Sequence, residues 1–209
     1  PWQTLQGPVI HVSHDGARAR DPETYLRDMA LLEQAVRDDP TNTRNVFYLA
    51  QSCRDAGKIE PSLLWYQRRV DMGGWEEERW YALFQIAVLH ERKQAPTSIV
   101  REAYLAAYAA RPQRAEPLCE LARYHRERGE HALATVFALQ ASQIAQPADI
   151  LFVDTQVYAW RALDEMAVSA FYTPHRDLGR AALQRLLAER RYPEAQAQRI
   201  EANQAFYGL

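Results

Sequence analysis

Residues able to do chemistry are scattered through this sequence of 209 amino acids. His11 and His14 bracket the end of a short β-branched run beside Asp15, and on spacing alone they read as turn or surface histidines. Trp75-Glu76-Glu77-Glu78-Arg79-Trp80 is the densest acidic run. It follows Gly73-Gly74 at an expected helix start, where carboxylates oppose the positive end of the helix dipole. A general acid and base drawn from it would need a pocket that sequence does not reveal. His90 and His125 fall at equivalent points of a repeated pattern and read as histidines packed between helices. Ser13, Ser52 and Cys53 have no base at a recognisable spacing, so nucleophilic catalysis is unsupported. Cys53 and Cys119 stand far apart with no CxxC pair, which argues against structural zinc and a disulfide framework and fits a reducing compartment.

If the chemistry is not catalytic, the elements that carry these residues matter more. Hydrophobic residues make up 47% and charged residues 25%, values that suit a packed, water-facing domain. Ala, Leu, Glu, Gln and Arg abound, with only 8 glycines, so the expected fold class is all-α. The net charge of −2 argues against a general nucleic-acid binder. Of the 25 basic residues only Lys58 and Lys93 are lysines, so positive charge is almost wholly guanidinium and suited to bidentate pairing. No apolar run reaches the roughly 18 residues of a membrane span, and the N-terminus lacks the basic and apolar regions of a signal peptide. A cytoplasmic protein with no membrane partner is the expectation. The missing initiator Met suggests that residue 1 is not the natural start.

Internal repetition organises the chain. Asn45 to Gly57 followed by Leu63 to Arg69 reads as a helix ending at glycine, a turn and a second helix. Leu118 to Gly129, followed by Ala132-Leu133-Ala134 and Ala138 to Ala141, repeats it. Ala82 to His90 with Ala103 to Tyr108, closed by Pro112, forms the copy between them. Ala50, Ala87 and Ala122 are spaced 37 and 35 apart, near the roughly 34 of a tetratricopeptide repeat. An alanine there lets paired helices approach while Leu49, Ile86 or Leu121 fills the space beside it. A helix is expected over Pro22 to Asp39, a hairpin from Ala159 to Tyr172 and Leu178 to Arg190, and a last helix from Pro193 to about Phe206. Gln146 to Val157 fits least well and is expected to be an irregular, partly buried connection.

These residues resemble tetratricopeptide repeats. The resemblance implies an α-α superhelix of antiparallel helix pairs over 21–209, preceded over 1–20 by a short extended arm or the remnant of another domain. In generic repeat geometry the first helix of each unit faces a groove. Here that face carries Arg44, Phe47, Gln51 and Arg54; Tyr81, Phe84, Val88 and Glu91; then Glu116, Cys119, Arg123 and Arg126. Arginines and aromatics in that arrangement suit an extended peptide with acidic groups, the guanidinium forks taking carboxylates. Self-association is a further use that such repeats allow.

A narrower resemblance rests on longer runs. His11 to Pro22, Phe47-Tyr48-Leu49-Ala50-Gln51-Ser52, Gly73-Gly74-Trp75-Glu76-Glu77-Glu78, Arg114-Ala115-Glu116-Pro117-Leu118 and Arg123 to Gly129 look like the tetratricopeptide region of bacterial family 2 glycosyltransferases. In that family a GT-A catalytic domain binds a nucleotide sugar and a divalent metal through an Asp-x-Asp motif. This sequence has no Asp-x-Asp and no Gly-rich phosphate loop. The resemblance therefore implies an accessory scaffold with no cofactor of its own, binding a peptide or protein. Metal and nucleotide sugar would belong to an upstream domain, to whose metal His11 or His14 could be a remnant ligand; the alternative the resemblance allows is that the chain is part of a functioning nucleotide-sugar transferase and supplies part of its active site.

Overall fold

A computed structural model of the protein describes residues 23–209, and the arm expected over 1–20, with His11 and His14, lies outside the described residues. The regular elements of the described chain are all helices: α1 (Thr24–Asp38), α2 (Thr43–Asp55), α3 (Ile59–Asp71), α4 (Glu76–Arg92), α5 (Thr97–Ala110), α6 (Glu116–Glu127) and α7 (His131–Ser142). After a long connection, a π-helical turn (Val157–Arg161) runs directly into α8 (Ala162–Ala170), followed by α9 (Arg176–Glu189), α10 (Glu194–Ala202) and α11 (Gln204–Tyr207). Among the described residues there is no strand. The fold class is all-α, built of paired helices of the tetratricopeptide type. No helix among the described residues is long and apolar enough to cross a membrane.

The chain divides into two compact units between Trp65 and Tyr66, inside α3. In the first, α1 packs on α2. The Asn42 side chain accepts from the Asn45 backbone N–H at 3.1 Å and starts α2. Gly57, at φ +71°, stops it, and the Lys58 N–H closes back on the Cys53 carbonyl at 2.8 Å. The second unit repeats this turn at Gly129, φ +72°, with the Glu130 N–H on the His125 carbonyl at 2.9 Å. Both are left-handed closures in which glycine avoids the Cβ penalty. Ser62 donates to the Ala50 carbonyl at 2.9 Å and seats the start of α3 on α2. Val46, Leu49, Ala50 and Cys53 are wholly buried there.

In the second unit α4 pairs with α5, α6 with α7 and α8 with α9, and each pair packs on the next. Ala87 and Ala122 are fully buried at the expected contact points, as is Leu121, whereas Ile86 is half-buried. Val100, Tyr104, Leu118 and Tyr124 fill the space between α4, α5 and α6. Leu163, Met166, Leu183, Leu186, Ile200 and Tyr207 fill the C-terminal end.

The expected last helix breaks at Asn203 into α10 and α11, and the break has a packing consequence. It turns the Tyr207 ring back over Gly179 of α9, and its hydroxyl donates to the Ala167 carbonyl of α8 at 2.5 Å. Only glycine fits beneath that ring, because a Cβ on Gly179 would sit 2.1 Å from the Tyr207 oxygen. Gly179→Ala is therefore expected to lower stability by about 1–3 kcal/mol. Adding Tyr207→Phe, which removes the clashing oxygen, should make the double variant more stable than the sum of the single losses. Chemical denaturation of the four proteins checks this, and strict additivity would contradict it.

Candidate partner-binding cavity

The groove-facing positions of α4 and α6 meet in one cavity of about 420 Å³ within the second unit. Phe84, Val88 and Glu91 from α4 and Glu116 and Arg123 from α6 line it, as the repeat geometry implies. Tyr81 stands beside it, its ring centroid 4.4 Å from that of Phe152, a lining residue. Cys119 is fully buried, and Arg126 is not among the lining residues: it turns to Glu165 at 2.6 Å. The other expected positions belong to the first unit. Arg44 donates to the Tyr48 hydroxyl at 2.9 Å, and Arg54 pairs with Asp55 at 2.8 Å. Among the described residues the buried Gln51 amide nitrogen finds no hydrogen-bond partner. Phe47 is only 2% exposed.

Arg123 and Arg126 hold carboxylates of their own chain rather than standing open for a partner's. Arg123 binds Glu91 at 2.7 Å, Glu120 at 2.7 Å and Glu127 at 2.9 Å. Arg161, set by the π-helical turn, binds Glu120 at 2.6 Å and Asp154 at 2.8 Å. The result is a continuous ladder, Glu91 to Arg123 to Glu120 to Arg161 to Asp154, along the cavity wall. Tyr104 donates to Glu91 at 2.8 Å. Burial alone would raise the Glu120 pKa, but Arg161 and Arg123 overcome it and hold the carboxyl below its usual range. Burial pushes the Tyr104 hydroxyl well up, and the negative charges of Glu91 and Glu120 push it further.

The fourth wall is the irregular connection before the π-helical turn. Glu77 accepts from the backbone N–H groups of Ile150 at 2.9 Å and Leu151 at 2.7 Å. Arg114, wholly buried, donates to the carbonyls of Leu151 at 3.2 Å and Phe152 at 3.0 Å and binds Glu116 at 2.8 Å. Its guanidinium carbon lies 3.6 Å from the Trp80 ring centroid. Arg111 and Asp149 pair at 2.5 Å on the same connection, and the hydrogen bond from Arg111 holds Asp149 below the usual carboxylate range. Phe152 sits at φ +48°, a left-handed conformation uncommon outside glycine, half-exposed over the cavity.

Repeat positions alone could not locate Tyr104, Glu120, Phe152, Asp154 or Arg161. The usable signal was the charge pattern Arg111, Arg114, Glu116 and Asp149 flanking the connection. Among the described residues no group of three or more His, Cys, Asp and Glu is arranged to hold a metal ion.

The ladder makes stability depend on acid. Glu120 has a depressed folded pKa, so its contribution is present above the unfolded value of about 4.3 and is lost as pH falls through the lower folded value. Asp149 acts in the same direction, while burial raises Glu165, whose cost acidification relieves. Glu120→Gln is expected to cost about 2 kcal/mol at neutral pH. Its deficit against the native chain should shrink below pH of about 4 in denaturant unfolding, whereas a constant deficit would contradict the assignment.

No family model and no curated protein matches the chain. Among solved structures, it is similar to a crystal structure of MamA, a tetratricopeptide-type helical protein, with a TM-score of 0.61 at 15% identity, covering 90% of this chain and 99% of that one. A second crystal structure of MamA protein gives 0.60 at 15% identity, covering 86% and 88%. At this identity the likeness establishes a shared helical-repeat fold.

Proposed function

We propose that the chain is a non-catalytic helical-repeat scaffold whose second unit takes an extended peptide segment of a protein partner in the cavity at Phe84, Val88 and Phe152. The cavity carries this reading: apolar side chains line a hollow whose polar wall is already fixed by ion pairs, at the positions that repeats leave free after packing on their neighbours. Its chemistry suits binding better than catalysis. Glu120 is held ionised between two guanidinium groups, which disfavours a general-acid role. Burial raises the Cys119 thiol far above its usual range and away from the thiolate a nucleophile needs.

The narrower reading, supported by the runs His11 to Pro22 and Gly73 to Glu78, is that this scaffold is the accessory region of a family 2 glycosyltransferase. Nucleotide sugar and metal would then be held by a catalytic domain upstream, with His11 or His14 near that metal. An Asp-x-Asp strand encoded ahead of Pro1 would support this reading, and a start codon immediately before Pro1 would contradict it.

The peptide reading is tested by selecting binders from a phage-displayed random peptide library and measuring their affinity by fluorescence anisotropy. Phe152→Ser and Val88→Ser, each checked for native circular dichroism, should weaken the selected peptides roughly tenfold, as expected when a buried apolar contact worth about 1.5 kcal/mol is lost. Unchanged affinity in both variants would place the peptides elsewhere and contradict the reading.

A further inference from the structure

Counting arginines at groove positions points to an acidic partner, but the side-chain geometry points the other way. Around the cavity Arg123 and Arg161 answer to four carboxylates: Glu91, Glu120, Glu127 and Asp154. Arg114 is matched by Glu116, and Arg126 by Glu165. Arg92, exposed on the cavity wall, offsets one of the two excess negative charges. Glu77, whose carboxylate oxygen takes two backbone amides of the connection, adds another beside the same wall.

An acidic ligand would meet this excess directly. For Arg123 to take an incoming carboxylate it would have to release one of three partners it already holds. A cationic ligand would break nothing. Asp154 on the cavity wall and Glu127 beside the ladder, which pairs with Arg123 at 2.9 Å and Arg126 at 3.8 Å, have side chains 41% and 47% exposed, and each can accept further hydrogen bonds. The low-dielectric walls of a cavity focus such a field toward its opening. Phe84, Val88 and Phe152 supply apolar surface alongside.

We propose that the segment accepted by this cavity is a basic peptide, with lysine or arginine side chains reaching Asp154 and Glu127 and intervening apolar side chains resting against Phe84, Val88 and Phe152. This rests on the peptide-binding reading above and specifies its ligand.

The test uses three fluorescein-labelled synthetic peptides that share the same leucines at alternate positions and carry lysine, glutamate or serine between them. Fluorescence anisotropy against the full chain should give tightest binding for the lysine peptide, weakening as salt rises. The double variant Asp154→Asn, Glu127→Gln should bind it about fivefold more weakly, while its affinity for the serine peptide stays unchanged. Arg92→Ala, which removes the exposed cation, should tighten the lysine peptide.

Preference for the glutamate peptide overturns the proposal. So does equal binding of all three, and if Phe152→Ser abolishes that equal binding the cavity reading survives without the charge assignment. Lysine-peptide binding indifferent to both Phe152→Ser and the double variant also overturns the proposal, by placing the peptide outside the cavity. No saturable binding of any peptide would overturn the proposal and the peptide reading together.

Discussion

The Arg114 guanidinium is the interaction on which the rest of the second unit depends. It is wholly buried, and burying a guanidinium costs several kcal/mol unless nearly every donor finds an acceptor. Here Nε binds Glu116 at 3.1 Å, and the two terminal nitrogens bind Glu116, Asp149 and the carbonyls of Leu151 and Phe152. Trp80 covers a face of the group. Two of those acceptors are backbone oxygens of an irregular connection, so the charge is compensated only when the connection lies in place. Glu77 acts on that segment from its own side, taking the amides of Ile150 and Leu151. A cation gathers its carbonyls and an anion its amides, which lets a segment without helical hydrogen bonds be ordered.

The cavity follows from this clamp. Once the connection is fixed, Phe152 stands at φ +48° beside Tyr81, and Asp154 is delivered to Arg161. The Asp154 backbone N–H also donates to Glu116 at 3.2 Å, and Tyr158 from the π-helical turn donates to the same carboxylate at 2.6 Å. Glu116 therefore couples the buried guanidinium to the ladder that lines the wall. On the proposed reading, a wall ordered before binding would spare a partner the cost of immobilising it and leave affinity to apolar contact and the net field.

Much of the fold was legible because its determinants are local. Gly57 and Gly129 mark left-handed closures, and Ala50, Ala87 and Ala122 mark the close approach of helices; each acts through residues a few positions away or at a fixed repeat spacing. The break at Asn203 was not legible, since it depends on Gly179 leaving room for a ring from another helix. At the cavity, Phe84, Val88, Glu91, Glu116 and Arg123 are positions that the resemblance to tetratricopeptide repeats implies, but the state of the arginines is not. Arg123 meets Glu91 across 32 positions and Arg161 meets Glu120 across 41, and no local pattern says that such partners are already engaged. Counting guanidinium groups therefore suggested an anion-binding face where pairing leaves a surplus of carboxylates. Phe152 and Asp154 lie in the segment with the weakest repeat signal, and become wall residues only through Arg114.

The central claim is that Arg114 builds the cavity wall by holding the connection from below. Native-state amide hydrogen exchange at Ile150 and Leu151 tests it most directly, comparing the chain with Arg114→Met, a replacement of similar length without charge. The account predicts that protection at both amides collapses in the variant, alongside a global loss of about 3–5 kcal/mol from the uncompensated Glu116, while the α8 and α9 amides retain protection up to the new global limit. Protection at Ile150 and Leu151 that persists at the level set by global unfolding would contradict it.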